Sequence, residues 1–112
     1  MSATTTIERT LEFKERVQEW AARVRVEPEQ LRVQEMRRKW ASCSTKGWVT
    51  FARDLLDEPR TFQDYVIVHE LLHLRYRNHG KLFVAALRSY LASNKAVRAE
   101  KAGVHCMARR AS

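Results

Sequence analysis

The segment from residue 62 to residue 77 constrains the fold most, because it is apolar on nearly all sides yet contains two histidines and a glutamate. Its apolar residues are Phe62, Tyr65, Val66, Ile67, Val68, Leu71, Leu72 and Leu74. A helix that is hydrophobic all round is buried in its protein. His69, Glu70 and His73 lie in the same segment, and burying such groups is costly unless they are bonded. The sequence therefore predicts a central buried helix whose polar side chains have a common partner.

The flanking segments predict an α+β domain around this helix. Apolar residues at helical spacing predict an N-terminal helix over residues 6–24 and a last helix that ends near Asn94. Alternation over residues 31–36 predicts an edge strand, and residues 48–52 predict a second strand. We expect these two strands to form a hairpin-like unit with a long polar turn, residues 37–47. The small sheet, antiparallel or mixed and of about three strands, would pack on the central helix.

The central helix contains the sequence His69-Glu70-Leu71-Leu72-His73. Four residues span just over one helical turn, so the two imidazoles project from one face and can bind one zinc ion. Glu70 lies about 100° around the helix from His69, where it can reach a water on the metal without being a ligand. The motif therefore predicts that the histidines hold zinc, that zinc lowers the pKa of the water, and that Glu70 takes the proton.

A third ligand is required, because catalytic zinc usually has three protein ligands and one open position. His79 follows His73 by six residues and lies just beyond the predicted helix. Its neighbours Asn78 and Gly80 tolerate the left-handed backbone that a returning turn can require. The sequence thus predicts Zn²⁺ as the cofactor, Glu70 as the catalytic residue, and as metal ligands His69, His73 and His79.

Two other interpretations of the motif remain open. The histidines can be hydrogen-bonded core residues with Glu70 on the surface, although metal-ligand spacing explains a polar cluster in an apolar helix more economically. The chain can also be a metzincin, but Tyr76 stands where that longer motif has its glycine. We interpret Cys43 as a structural residue of the hairpin, and the adjacent His105 and Cys106 as no metal site. Tyr76 and Tyr90 are candidates for oxyanion support or for packing.

Length and charge limit the context. The 112 residues suffice for one domain, which we assign to residues 1–94, followed by a basic tail over residues 95–112. Residues 81–112 carry seven basic and one acidic side chain, most of the net charge of +8. A solvated terminus is the favoured interpretation of that charge, and binding of nucleic acid is the alternative.

The sequence also indicates the compartment. No run approaches the roughly 18 apolar residues that a membrane span needs, and residues 1–9 lack the apolar stretch of a signal peptide. Two cysteines cannot form a disulfide framework, which agrees with a reducing compartment. We therefore expect a cytoplasmic protein with no membrane partner.

Several separated elements of the sequence resemble the YgjP-like zinc metallopeptidases, which are related to the WLM and SprT-like groups and to the minimal gluzincin-type peptidases. Residues 38–44 resemble the family's R-W-G-S-C-S element. Residues 55–73 resemble its L-L-x-x-P run followed by D-Y-V-V-V-H-E-L-x-H, and Asn78-His79 resembles its N-H-S. The similarity covers roughly residues 30–92, and the elements occur in the family's order.

The resemblance implies a zincin-like fold, zinc bound by His69, His73 and His79, and Glu70 as general base and acid. It implies that the strand over residues 48–51 forms the upper rim of the cleft, where an extended peptide could pair with an exposed strand edge. The chain departs from the family pattern outside the metal set, and these departures bear on substrate range. Lys39 stands where the family usually has arginine, and Ala41 stands where it has glycine. Gly80 stands where the family has serine, and Val84 stands where it commonly has an aromatic residue.

Together these observations predict a zinc-dependent metallohydrolase that cleaves peptide bonds in a peptide or protein substrate. One alternative is a SprT-like protease that acts on DNA-associated proteins through the basic tail. Another is a non-catalytic zinc-binding protein that acts through a partner. Hydrolysis of a non-peptide substrate is a further alternative, because a fold does not fix a function.

Overall fold

The predicted central helix, α2 (Arg60–Leu72), is buried along most of its length and contacts a layer of elements on several sides. The computed structural model describes residues 6–92, and the predicted α+β fold with a small mixed sheet is confirmed. The other elements are α1 (Thr6–Val24), β1 (Gln30–Gln34), β2 (Ala41–Cys43), β3 (Trp48–Ala52), a 3₁₀ helix (Arg53–Asp57) and α3 (Lys81–Tyr90).

Helix α2 ends earlier than predicted, at Leu72 instead of residue 77. The backbone N–H of His73 donates to the carbonyl of Glu70, and the next two N–H groups also reach back three residues. Such short-range bonds tighten the last turn of a helix and prepare the chain to leave it. His73 therefore caps the helix in right-handed helical geometry, and its side chain keeps the direction that the motif requires.

The sheet differs from the predicted hairpin. Its strand order is β1-β3-β2, with β1 parallel and β2 antiparallel to β3. The two predicted strands do pair, but in parallel, so the predicted hairpin is wrong. Residues 41–43 of the predicted turn form a third strand, which pairs with β3 in the antiparallel direction. The turn that remains is residues 44–47, in which Gly47 has φ 89° and donates to the carbonyl of Ser44. Glycine adopts this left-handed conformation without steric cost.

The predicted N-terminal helix is confirmed as α1, and it is anchored to α2 by a cluster of polar groups. The Arg16 guanidinium donates to Asp64 Oδ1 at 2.6 Å and to Gln63 Oε1 at 2.7 Å. The indole N–H of Trp20 donates to the same Asp64 oxygen at 3.2 Å. Partly buried, charge-assisted bonds of this kind are stronger than exposed ion pairs. They fix the end of α2 that is remote from the histidine motif.

Several predictions fall outside residues 6–92. These are the boundary at residue 94, the basic tail, and the pair His105 and Cys106. Within residues 6–92, no helix has both the length and the apolar character needed to cross a membrane.

Candidate metal centre

The three predicted ligands come together at the end of α2. His69 Nε2 lies 3.2 Å from His79 Nε2, and His73 Nε2 lies 3.0 Å from the same atom. One ligand atom from each histidine lies within 4.8 Å of the other two. His69 and His73 are one turn apart on the helix, whereas His79 belongs to the loop before α3. The structure thus brings together the three side chains that the sequence selected.

The loop returns without the backbone conformation that the sequence suggested. Tyr76 N–H donates to the Leu72 carbonyl at 2.8 Å, which turns the chain back over the end of α2. The described residues with positive φ are Arg25 and Gly47, so neither Asn78 nor Gly80 is left-handed. Gly80 has φ −81° as the N-cap of α3, and a Cβ there would meet nothing within 4 Å. The predicted need for left-handed residues beside His79 is therefore wrong.

The hydrogen bonds of the ring nitrogens leave Nε2 atoms facing each other. His73 Nδ1 lies 3.1 Å from the carbonyl of Tyr76, an acceptor only, so Nδ1 carries the proton and Nε2 keeps its lone pair. His69 Nδ1 is fully buried without a hydrogen-bond partner among residues 6–92. Each neutral imidazole has one N–H group and one nitrogen lone pair. Hydrogen bonds among the three rings therefore cannot give every one of the three converging Nε2 atoms a partner.

A zinc ion fits this set of donors. Zinc–nitrogen bonds of about 2.0–2.1 Å in tetrahedral geometry place two ligand nitrogens about 3.3 Å apart. The observed separations of 3.0 Å and 3.2 Å from His79 are close to that value. The His73–Tyr76 contact is also the kind of outer hydrogen bond that fixes the tautomer of a metal ligand. The donors are therefore suited to a small divalent cation in both chemistry and spacing.

Burial favours the neutral form of His69 and His73, which is the form that binds metal. His69 is fully buried, and its pKa falls to about 3, first through burial and then through the neighbouring His73 and His79. Burial also lowers the pKa of His73, although its bond to the Tyr76 carbonyl opposes the shift. Protons therefore compete little with a metal ion at neutral pH.

Glu70 is the other ionisable group of the centre and is only 2% exposed. Burial raises the pKa of its carboxyl to about 7, against the opposing effect of the positive charge of Lys39. Its side chain borders a cavity of about 180 Å³ together with His73 and all three residues of β2. A buried carboxyl group with a raised pKa that borders a cavity is suited to accept and return a proton.

Cys43 lies at the end of β2, and not in the predicted turn, and it borders the same cavity. Burial, followed by the charge of Glu70, raises the pKa of its thiol to about 11. The thiol is therefore protonated at neutral pH, and a role as nucleophile or thiolate ligand is not supported. Tyr76 and Tyr90 are partly buried against the core, and neither borders this cavity.

The strand that borders the cavity is β2. The resemblance implied that residues 48–51 would offer an exposed edge, but they belong to β3, the central strand, whose two edges pair with β1 and β2. The outer edge of β2 is available instead, and Ala41, Ser42 and Cys43 all border the cavity. The expectation that residues 48–51 offer an exposed edge is therefore wrong, because residues 41–43 form the edge strand beside them.

A family model described as the YgjP-like metallopeptidase domain matches residues 4–100. This chain belongs to the YgjP-like family. Among solved structures, the metallopeptidase zymogen jannalysin of Methanocaldococcus jannaschii is similar to this YgjP-like chain, with a TM-score of 0.69 and 27% sequence identity. The similarity covers 79% of this chain and 89% of jannalysin. The search among curated proteins found no match.

Sequence reasoning missed two contributions to the YgjP-like site. The ring centroid of Phe83 on α3 lies within 5.1 Å of the ring centroids of all three histidines. Arg16 of α1 binds Gln63 and Asp64 and so holds the helix that carries two of the histidines. The position of an aromatic residue four places after His79 is a sequence signal that could have indicated the contact of Phe83 with the histidines. A single sequence carries no signal for the bond between Arg16 and Asp64, because these two residues are 48 positions apart.

Proposed function

We propose that this chain is a zinc-dependent peptidase in which His69, His73 and His79 hold the metal and Glu70 is the general base and acid. The observation that carries the proposal is the convergence of three imidazole Nε2 atoms next to a buried carboxyl group. Membership of a metallopeptidase family supports it. A zinc ion bound there would polarise the scissile carbonyl and activate the attacking water.

The carboxyl group of Glu70 supplies the proton transfers. Its carboxylate takes a proton from the attacking water, and the resulting carboxylic acid returns that proton to the amine nitrogen of the leaving peptide. The water is thereby added across the C–N bond, and Glu70 returns to its starting state. Burial raises the pKa of this carboxyl to about 7 in the metal-free chain, and a divalent cation held by the histidines would favour the carboxylate form that takes the first proton.

The outer edge of β2 would hold the substrate backbone. An extended peptide that pairs with this edge would pass over the cavity that Glu70 and His73 border. Main-chain hydrogen bonds would supply affinity without regard to sequence, whereas the cavity would select side chains. The neutral thiol of Cys43 lies beside this path and adds no charge to it.

Digestion of a peptide library by the zinc-loaded protein, with and without chelator, tests the proposal. We expect metal-dependent cleavage, and its absence would favour a non-catalytic zinc protein that acts through a partner. The alternative of a protease for DNA-associated proteins depends on residues 95–112. It predicts salt-dependent DNA binding that is lost when those residues are deleted. The cytoplasmic location remains a prediction.

A further inference from the structure

The cavity beside Glu70 has the size and shape of a side-chain pocket. Its volume is about 180 Å³, which leaves space for one substrate side chain. One wall is the strand β2, and the other is the end of α2 with the loop that follows it. A peptide held along β2 would direct alternate side chains towards this space.

Two cations from different segments border the cavity. Lys39 precedes β2, and Arg77 lies in the loop between α2 and α3. Their charges reach the cavity: Lys39 acts on the carboxyl of Glu70, whereas Arg77 acts on the thiol of Cys43 and on the ring of His73. Among the residues that border this cavity, Glu70 carries the one carboxyl group, whereas Lys39 and Arg77 carry two positive charges. The lining of the cavity therefore has a formal excess of positive charge.

The residues of β2 that border the cavity carry no negative charge that would repel an anion. Ala41 is small and apolar, Ser42 has a hydroxyl that can donate a hydrogen bond, and the Cys43 thiol is neutral. A guanidinium and an ammonium group on separate segments can both bind a carboxylate placed between them. Neither group is needed to complete the metal centre, which consists of the three histidines and Glu70.

We propose that this cavity is a subsite for a carboxylate of the peptide substrate, bound by Lys39 and Arg77 next to the scissile bond. The inference rests on the proposed function, because it takes the substrate to be a peptide held along β2. The carboxylate can belong to an aspartate or glutamate side chain or to the C-terminus of the substrate. The two sources share the same chemistry, and the peptides described below distinguish them.

The test compares peptides that differ only in charge. The zinc-loaded full chain is incubated with peptides in which each position around the scissile bond is either glutamate or glutamine, each with a free or an amidated C-terminus. We expect kcat/KM to be about two- to fivefold higher for glutamate at one position, or for the free C-terminus, as for an exposed charge pair. The first result identifies a side-chain subsite and the second a terminal one.

Variants then assign the preference to the two cations. Lys39→Gln and Arg77→Gln should each reduce the preference, and the double variant should abolish it while zinc content is unchanged. Arg88→Gln is the matched control, because Arg88 is exposed on α3 and does not border the cavity. Equal kcat/KM for glutamate and glutamine peptides, together with equal values for free and amidated ends, would overturn the inference. So would a preference that survives in the double variant.

Binding separates this inference from the proposed function. If the wild-type protein cleaves no peptide, the proposed peptidase activity fails, and fluorescence anisotropy of the same labelled peptides judges the subsite alone. A lower Kd for a carboxylate-bearing peptide that is lost in the double variant would still support the subsite. Equal Kd values for the charged and neutral peptides would reject it.

Discussion

The ring of Phe83 in α3 meets the ring of His69 in α2 edge to face, with 5.1 Å between the centroids. The same ring lies 4.9 Å from that of His73 and 4.8 Å from that of His79. Phe83 is fully buried, so its position is fixed by the core. One side chain of α3 therefore contacts all three imidazoles, and it connects the packing of the last helix to the geometry of the candidate metal centre.

Replacement of Phe83 by leucine should weaken zinc binding. We expect Phe83→Leu to raise the Kd for zinc about tenfold, as for the loss of other groups that orient metal ligands, and to cost about 1–2 kcal/mol of unfolding free energy. The matched control is Phe13→Leu, because Phe13 is equally buried but packs against Phe51. Competition with a zinc-sensitive dye measures Kd. A similar loss of affinity in both variants would show that Phe83 acts only through general stability.

Replacement of Glu70 by glutamine should remove hydrolysis without removing zinc. The amide keeps the shape of the side chain but cannot take a proton from water, so kcat should fall at least about 100-fold. Glu19→Gln is the control, since Glu19 is exposed on α1. Peptide cleavage and zinc content are measured on the same samples. An unchanged rate in the purified Glu70→Gln protein would refute the role of Glu70.

The free energy of unfolding of the metal-free protein should depend on pH through the carboxyl group of Glu70. Because burial raises the pKa of this carboxyl from 4.5 to about 7, the folded chain binds the proton more tightly than the unfolded chain. The resulting stability is complete below about pH 4.5 and is lost as the pH rises through about 7. Relative to wild type, Glu70→Gln should gain stability between pH 5 and pH 8, by up to about 3 kcal/mol. Urea unfolding with chelator measures this, and a pH-independent difference would contradict it.

Replacement of Gly80 by serine should stabilise the fold. Gly80 is the N-cap of α3, makes no side-chain capping bond, and has an ordinary φ with open space for a Cβ. A serine hydroxyl can accept a bond from the first turn of the helix, and the unfolded chain loses flexibility. We expect a gain of about 0.5–1 kcal/mol, or about 3–6 °C in Tm, in thermal unfolding of the metal-free protein. A lower Tm would show that the loop of His79 needs glycine.

The sequence predicted the elements whose signal is local. The apolar run of α2, the stripe of α1 and the spacing of His69, His73 and His79 are each contained within a few turns of chain, and the structure has them as expected. The predicted end of α2 at residue 77 is wrong. Apolar residues continue past Leu72, but the backbone N–H groups of His73 and of the two residues after it already bond to carbonyls three residues back instead of four.

The remaining features depend on contacts between distant residues. Strand β2 consists of Ala41, Ser42 and Cys43, which have little intrinsic strand preference and become a strand by pairing with β3. The parallel pairing of β1 with β3 likewise depends on tertiary packing. For the same reason the cavity bordered by Lys39 and Arg77 was not predicted, since it exists only once β2 lies beside α2.

Anomalous scattering at the zinc edge, from crystals of the zinc-loaded protein, tests the central claim most directly. The account predicts one peak about 2.0–2.1 Å from the Nε2 atoms of His69, His73 and His79, with no fourth protein ligand. A peak at another place, imidazoles that point away from it, or a fourth protein atom that closes the coordination sphere would contradict it.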